Sequence, residues 1–334
     1  MPPLLKTDIS GVRPATDPEW DEIWQGCEYA TYFHSREWAM LWAYYTKGGL
    51  RPEPRIVTFS DGNRALLPFS FHLTVHGEGP GRRRSPLISG PLDGYEKTYV
   101  SSPAGTYGGW LSDGPLTEAH AGLLLGHIKD NFGRLTMRLN PFSCLSMGAG
   151  FEAEYDETHA IKLSEGFEAI IGRWTKGHRS AVGKARREGV AVRVAEGLDD
   201  WQSYFSIYRS SINRWGWRAS SSYGWGLFSE MYKLSSSNIK LWLAFKDGKA
   251  IAGAIMFYTK RHVAYWHGAA LDEFFPLRPV NLMISDAILD ACKGGYSWFD
   301  FNPSGGHEGV KAFKRSFGAK ALPCPVIIKE PGRK

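Results

Sequence analysis

The stretch WFDFNPSGGHEGVKAFKRSFGAK, residues 298–320, brings together several residue types that can do chemistry. An aromatic strand pattern carrying Asp300 leads into a polar, Gly-rich loop with Asn302 and Ser304. A basic segment of helical spacing follows and carries Lys314. An ammonium fixed beside a reacting carbonyl stabilises the oxyanion more in the transition state than in the ground state. The same ammonium could hold a donor phosphate, or could be a solvated helix lysine. Lys311 and Arg315 read as solvated flanks. Asn302 and Ser304 stand where a strand ends, a place where short polar groups and backbone N–H groups approach ligands. A plain strand-to-helix turn is the competing reading. Asp300 alternates with Phe299 and Phe301, and either faces a polar cleft or satisfies backbone donors, the latter being favoured.

A second group lies upstream. The strand VAYWHGAA puts Tyr265 and His267 on one face and Trp266 on the other. Imidazole, with an ordinary pKa near ~6.5, suits proton uptake from an amine at neutral pH. His267 is therefore a candidate base, against a purely structural role or a proton relay by the substrate itself. His34 and His307 rank below it. Trp215, Trp217, Tyr223 and Trp225 either wall a groove or fill a core. From Arg173 to Arg193 there are seven Lys/Arg and one acid. On a helix Arg179, Arg186 and Arg187 nearly share a face, fit either for tRNA phosphates or for solvent. The histidine spacings suggest no metal site.

These residues need a frame. A chain of 334 residues exceeds the usual single core, so two domains are expected. It is 43% hydrophobic and 22% charged, ordinary for a folded protein. The net charge of +6 permits a phosphate-rich partner without requiring one. Cys27, Cys144, Cys292 and Cys324 have no redox or metal spacing, which suits free thiols in a reducing compartment. The N-terminus lacks a signal-peptide pattern, and no run reaches the ~18 apolar residues of a membrane span, so a cytoplasmic protein is expected.

The pattern predicts two helices with a break near Thr31–His34, the second capped by Ser35. A hairpin turns on Asp61-Gly62. Turn-rich loops cover 77–94 and 101–115, and a helix near 116–131 precedes the strand RLTMRLNP. The second half expects a helix after Ser164, a basic helix ending at Gly189, and a long helix from Leu198. Three strands follow, the first two turning on Asp247-Gly248. A helix near 279–293, the strand WFDFN, a short helix near 308–317 and a last strand CPVIIK complete it. The halves echo one another in FSDGNRA (59–65) with FKDGKAI (245–251), and in GRLTMRLNP (133–141) with GYSWFDFNP (295–303). The shared order suggests a duplicated module, strand-strand-strand-helix-strand-helix-strand, of α+β class. The expected modules are 1–155 and 156–320, with 321–334 packing back on either.

This order resembles the GNAT-like fold, and two such modules in tandem resemble the Fem family of aminoacyltransferases. HRSAVGKARREGVAVRV, FFPLRPVNLMISDAILDACKGGYSWFDFNPSGG, GVKAFKRSFGAK and TYGGW carry the resemblance. It implies transfer of an amino acid from aminoacyl-tRNA to the amine of a cell-wall precursor in the bacterial cell envelope. It implies that Lys314 is the lysine of the acyl-transfer site. It also implies that Arg214, with Arg218 nearby, grips an acceptor phosphate, for which the guanidinium fork is suited; otherwise the arginine stem covers aromatic surface. The acceptor would lie between modules, with Tyr107, Tyr223, Tyr265, Asn302 and Ser304 around it. Arg179, Arg186 and Arg187 would meet the donor. The segment FFPLRPVNLM lacks the glycines of a coenzyme A turn, and its proline removes a donor. Aminoacyl-tRNA or acyl-CoA would be the co-substrate, with no tightly bound cofactor. The alternatives are an acyl-CoA-dependent N-acyltransferase acting on a sugar, peptide or lipid precursor, and a non-catalytic binding protein.

Overall fold

Local signals set the first elements of the computed structural model, which describes residues 7–75, 95–143, 152–216, 219 and 222–330. The loop read at 77–94, all of Cys144–Gly150, and Trp217 and Arg218 lie outside them. Strand β1 (Ile9–Pro14) leads to α1 (Asp17–Gly26), where Thr16 and Glu19 satisfy each other's backbone N–H in a capping box. The expected break is a short turn at Tyr32–His34, and Ser35 Oγ accepts from Trp38 N (3.1 Å) to start α2 (Arg36–Tyr45). Next come β2 (Arg51–Pro52), β3 (Arg55–Phe59), β4 (Arg64–Leu67), β5 (Ser70–Val75), β6 (Tyr95–Val100), α3 (Glu118–Asn131) and β7 (Arg134–Arg138).

The second half runs β8 (Glu157–Lys162), α4 (Phe167–Gly172), α5 (Lys176–Arg187), β9 (Ala191–Val194), α6 (Leu198–Trp215) and α7 (Trp225–Leu234). The strands β10 (Ile239–Lys246), β11 (Lys249–Thr259) and β12 (His262–Ala270) precede α8 (Pro279–Lys293), β13 (Trp298–Asp300), α9 (Glu308–Arg315), β14 (Lys320–Pro323) and β15 (Val326–Lys329). The chain divides into two compact units, Met1–Asp156 with Pro323–Lys334, and Glu157–Leu322. The last strand therefore returns to the first unit, where β15 pairs antiparallel with β7.

The two units share a wiring that explains the sequence echoes. Each has a hairpin (β3–β4, β10–β11) at a DG turn, with Gly62 and Gly248 at positive φ. Each has a parallel pair joined by a crossover helix, β6–α3–β7 and β12–α8–β13. They differ at one strand. In the second unit β11 is unbroken, so the order β14-β8-β13-β12-β11-β10-β9 is a single sheet. In the first unit the matching strand breaks at Pro68 into β4 and β5. Proline has no N–H for the ladder, and the pieces fall into separate sheets, β1-β3-β4 and β15-β7-β6-β5-β2.

The second unit's sheet is covered on both faces. One face packs Ile161, Met256, Val263 and Phe299 against Val182 and Ala185 of α5, Leu282 and Ile288 of α8, and Phe317. The other receives α6 and α7 through Tyr204, Tyr208 and Phe228. Among the described residues, no helix is long and apolar enough to cross a membrane.

Candidate active site

The parallel pair β12/β13 is registered only over His262–Ala264 and Trp298–Asp300. Beyond that point the strands are joined by a side chain: Asn302 Nδ2 donates to Tyr265 O (2.9 Å). Asn302 adopts a left-handed conformation, φ +58°, which asparagine tolerates better than most residues. Its backbone N–H donates to Asp300 Oδ1 (3.1 Å), which also accepts from Thr158 Oγ1 on β8 (2.6 Å). The turn aims the Asn302 carbonyl at α9, where Lys314 Nζ donates to it (2.5 Å). Lys314 is only 5% exposed. A buried ammonium acts on nearby charge far more strongly than one in water. Asn302 Oδ1 and Ser304 Oγ are also buried, and neither has a hydrogen-bond partner among the described residues. Buried polar atoms are normally satisfied, so such atoms beside a buried cation call for an explanation. An ammonium, a hydroxyl and an amide oxygen in one locality can receive a carbonyl oxygen that becomes anionic and an amine that donates.

Asp300, expected to serve the backbone, does so: it holds the Asn302 turn and is 1% exposed. Thr158 and His159, 0% exposed on β8, were not singled out from sequence. Neither ring nitrogen of His159 has a hydrogen-bond partner among the described residues, and burial lowers its pKa, with Lys314 adding to the effect and Glu157 opposing it. Thr158 meets Asp300 across 142 positions of chain, a pairing no local pattern announces.

Other expected residues sit elsewhere. His267 packs under α6, its Nδ1 2.5 Å from the Tyr204 hydroxyl, and burial pulls its pKa down to about 4. The α6 side is the opposite face from the core that holds Phe313 and Phe317 beside Lys314. This corrects the reading of His267 as proton acceptor: it is a weak base on the wrong face. The cause is a bulge. Ile255 pairs with His267 and Met256 with Tyr265, so Trp266 is an extra residue. Tyr265 and His267 therefore face opposite sides, not one. Tyr265 lies near Phe301 in the α5/α8 core, its hydroxyl pKa pushed up to about 12 by burial.

Tyr107 belongs to the first unit and is fully buried against Phe33 and Phe142. It packs the TYGGW loop from within rather than facing a ligand, which corrects its assignment to an acceptor. Arg214 donates to Ala270 O (3.3 Å), pairs with Asp272 (3.5 Å) and lies over the Phe275 ring (5.0 Å). It anchors the segment between β12 and α8. Tyr223 stacks on Trp266 (5.6 Å between centroids) and lines a groove of about 430 Å³ with Phe205, Tyr208 and Trp225. Arg179, Arg186 and Arg187 are exposed on α5, and Arg186 pairs with Asp286 (3.1 Å). Among the described residues, no cluster of His, Cys, Asp and Glu could hold a metal.

Residues 174–315 match the family model for the acetyltransferase (GNAT) domain. No curated protein matches the sequence. Among solved structures, a crystal structure of FemX superposes with a TM-score of 0.65 at 11% identity, covering 94% of this chain and 96% of that one. The C-terminal domain of a putative lysylphosphatidylglycerol synthetase from Agrobacterium fabrum gives 0.55 at 15% identity, covering 86% of each chain. A conserved protein of unknown function from Bacteroides thetaiotaomicron gives 0.57 at 11% identity, covering 96% of this chain and 100% of that one. Residues 174–315 thus carry a GNAT acetyltransferase domain, and the fold of the whole chain is similar to that of FemX.

Proposed function

We propose that the second unit transfers an acyl or aminoacyl group to an amine at the end of β13. The observation that carries this is the buried Lys314 ammonium on Asn302 O, beside the unspent Asn302 Oδ1 and Ser304 Oγ. The amine nitrogen attacks the donor carbonyl carbon, a C–N bond forms, and the carbonyl oxygen becomes an oxyanion. Lys314 Nζ and Ser304 Oγ–H stabilise that oxygen, while Asn302 Oδ1 accepts from the amine and orients its lone pair. Collapse breaks the bond to the donor's ester oxygen or thioester sulfur, and the departing group takes the amine proton. No protein base is needed.

For the donor, the Fem resemblance favours aminoacyl-tRNA and a cell-wall precursor as acceptor. Two features support it. Arg179 and Arg187 are exposed, and neither has an ion pair among the described residues. Pro279 at the start of α8 removes an N–H from the helix terminus where GNAT enzymes hold pyrophosphate. The second reading, an acyl-CoA donor, rests on the GNAT family match, because that family generally uses acyl-CoA.

The test is product formation from labelled aminoacyl-tRNAs and acyl-CoAs with nucleotide-linked precursor amines. Lys314→Gln is expected to lower kcat by about 10²- to 10³-fold with unchanged circular dichroism. The triple variant Arg179→Glu, Arg186→Glu, Arg187→Glu should weaken only tRNA-dependent transfer, with a shallower salt dependence. Full turnover by Lys314→Gln would overturn the reading. Binding of a precursor with no donor consumed would point instead to a non-catalytic binding protein.

A further inference from the structure

Three helices meet at His178, a residue outside the transfer site. Its Nδ1 lies 3.0 Å from Asn281 Nδ2 on α8, and its Nε2 lies 2.7 Å from Ser316 Oγ at the end of α9. Ser316 Oγ also lies 2.6 Å from Phe313 O. A carbonyl oxygen only accepts, so the single Ser316 hydroxyl proton points to Phe313. Ser316 Oγ must then accept from His178, which puts the imidazole proton on Nε2. Nδ1 is left as an acceptor, and the Asn281 amide N–H fills it. One direction of donation runs from α8 through α5 to α9, and it holds only for the neutral ring. The ring also packs edge-on against Phe313 (5.4 Å between centroids) and Phe317 (4.6 Å), and Thr175 N at the start of α5 donates to Ser316 O (3.1 Å). These contacts bracket Lys314 on both sides in sequence.

We propose that His178 is a positioning residue for Lys314: the Asn281–His178–Ser316 relay clamps the end of α9 so that the ammonium reaches Asn302 O, and acid releases the clamp. The inference rests on the reading of Lys314 above. Protonation adds a hydrogen to Nδ1 and turns it against the Asn281 N–H, so two donors face each other. The groups against the ring are Asn281 from α8, Ser316, Phe313 and Phe317 from α9 and the turn after it, and Arg278 at the α8 N-cap. Burial first, and then the Arg278 charge, lower the His178 pKa from its ordinary value. The relay is therefore intact at neutral pH and is lost only as pH falls through that depressed pKa, below the ordinary imidazole value.

Nitrogen-15 NMR of histidine-labelled protein tests the chemistry directly. The expected result is the Nε2–H tautomer with an apparent pKa below ~6.5. An Nδ1–H tautomer, or titration above that value, would overturn the proposal. Hydrogen exchange tests the clamp. His178→Phe keeps the aromatic packing and removes the relay, and should raise exchange of the 308–318 amides by roughly tenfold. His178→Gln can accept with Oε1 and donate with Nε2, and should restore most of the protection. If His178→Phe does not fold, Ser316→Ala removes only the hydroxyl and should show the same local loosening. Unchanged exchange in a folded variant sinks the clamp. In turnover, His178→Phe should lower kcat by about tenfold with little change in acceptor KM, and His178→Gln should lose the acid limb of the pH profile. Full turnover by Lys314→Gln would remove the catalytic reading of Lys314, and with it the reason for positioning. The tautomer and exchange results would still decide whether the relay exists.

Discussion

Asn302 does three things at once, and each depends on a different atom. Its N–H reads Asp300, its Nδ2 ties the diverging strand β12, and its carbonyl receives Lys314. The backbone must turn through φ +58° to allow this. Two substitutions separate backbone from side chain. Asn302→Gly keeps the turn and loses the amide. Asn302→Ala loses the amide and adds roughly 1 kcal/mol of left-handed strain. Urea denaturation should find Ala less stable than Gly by about that amount, while both lose transfer activity because Oδ1 is gone. Equal stability would mean that the turn stores no such strain. The strand end, turn and basic helix that hold Asn302, Ser304 and Lys314 were legible in sequence because they follow one another within a few residues, whereas the role expected of Lys314 came from the Fem resemblance. Thr158 and His159 were not legible, because β8 reaches the site only through its pairing with β13, 142 positions away for Thr158 and Asp300. His267 misled for a simpler reason: alternation assumes an unbroken ladder, and one extra residue at Trp266 reverses the face.

At the scale of elements, caps and turns carried the reading. Ser35, the two DG hairpins and the 3.6-residue periodicity of α6 and α8 are local signals, and the structure forms those elements where they stand. Strands β2 and β14, of two and four residues, are too short for periodicity to register, and β1 (ISGVRP) lacks a strict alternation of apolar and polar residues. How closely a helix lies on the sheet is also invisible in a pattern, yet it sets the site. Gly253 on β11 shows this. A Cβ there would lie 2.5 Å from the Tyr204 ring of α6 and 2.8 Å from Leu243. Both neighbours are fully buried, so neither can swing aside. Gly253→Ala should therefore cost about 1–3 kcal/mol through overpacking and lift α6 from the sheet. The Tyr204–His267 contact would lengthen, and the His267 pKa should rise from about 4 toward its ordinary value as water enters. A histidine titration by NMR reads this shift, and an unmoved pKa would show that α6 tolerates the methyl in place.

The whole molecule is two repeats of one wiring, but its chain path is not two beads. The first unit is completed by the last residues: β15 pairs with β7 through Val326–Arg138 and Lys329–Leu135, and Ile327 is buried in that unit's core. Cys324, also buried, donates its N–H to Asp156 O. The second unit is thus inserted between β7 and its partner. Almost two hundred residues must be made before the five-stranded sheet β15-β7-β6-β5-β2 can close, a long-range pairing that slows folding. Removing residues 324–334 strips β7 of its outer partner and exposes an unpaired edge. The expected outcome is selective. The first unit should unfold at a lower temperature and aggregate more readily, while the sheet of the second unit keeps every strand. Calorimetry of the truncated chain, with tyrosine-to-tryptophan emission from each unit followed separately, should show one early transition and one unshifted. A uniform shift of both would mean that the tail stabilises the molecule by some route other than closing the first sheet.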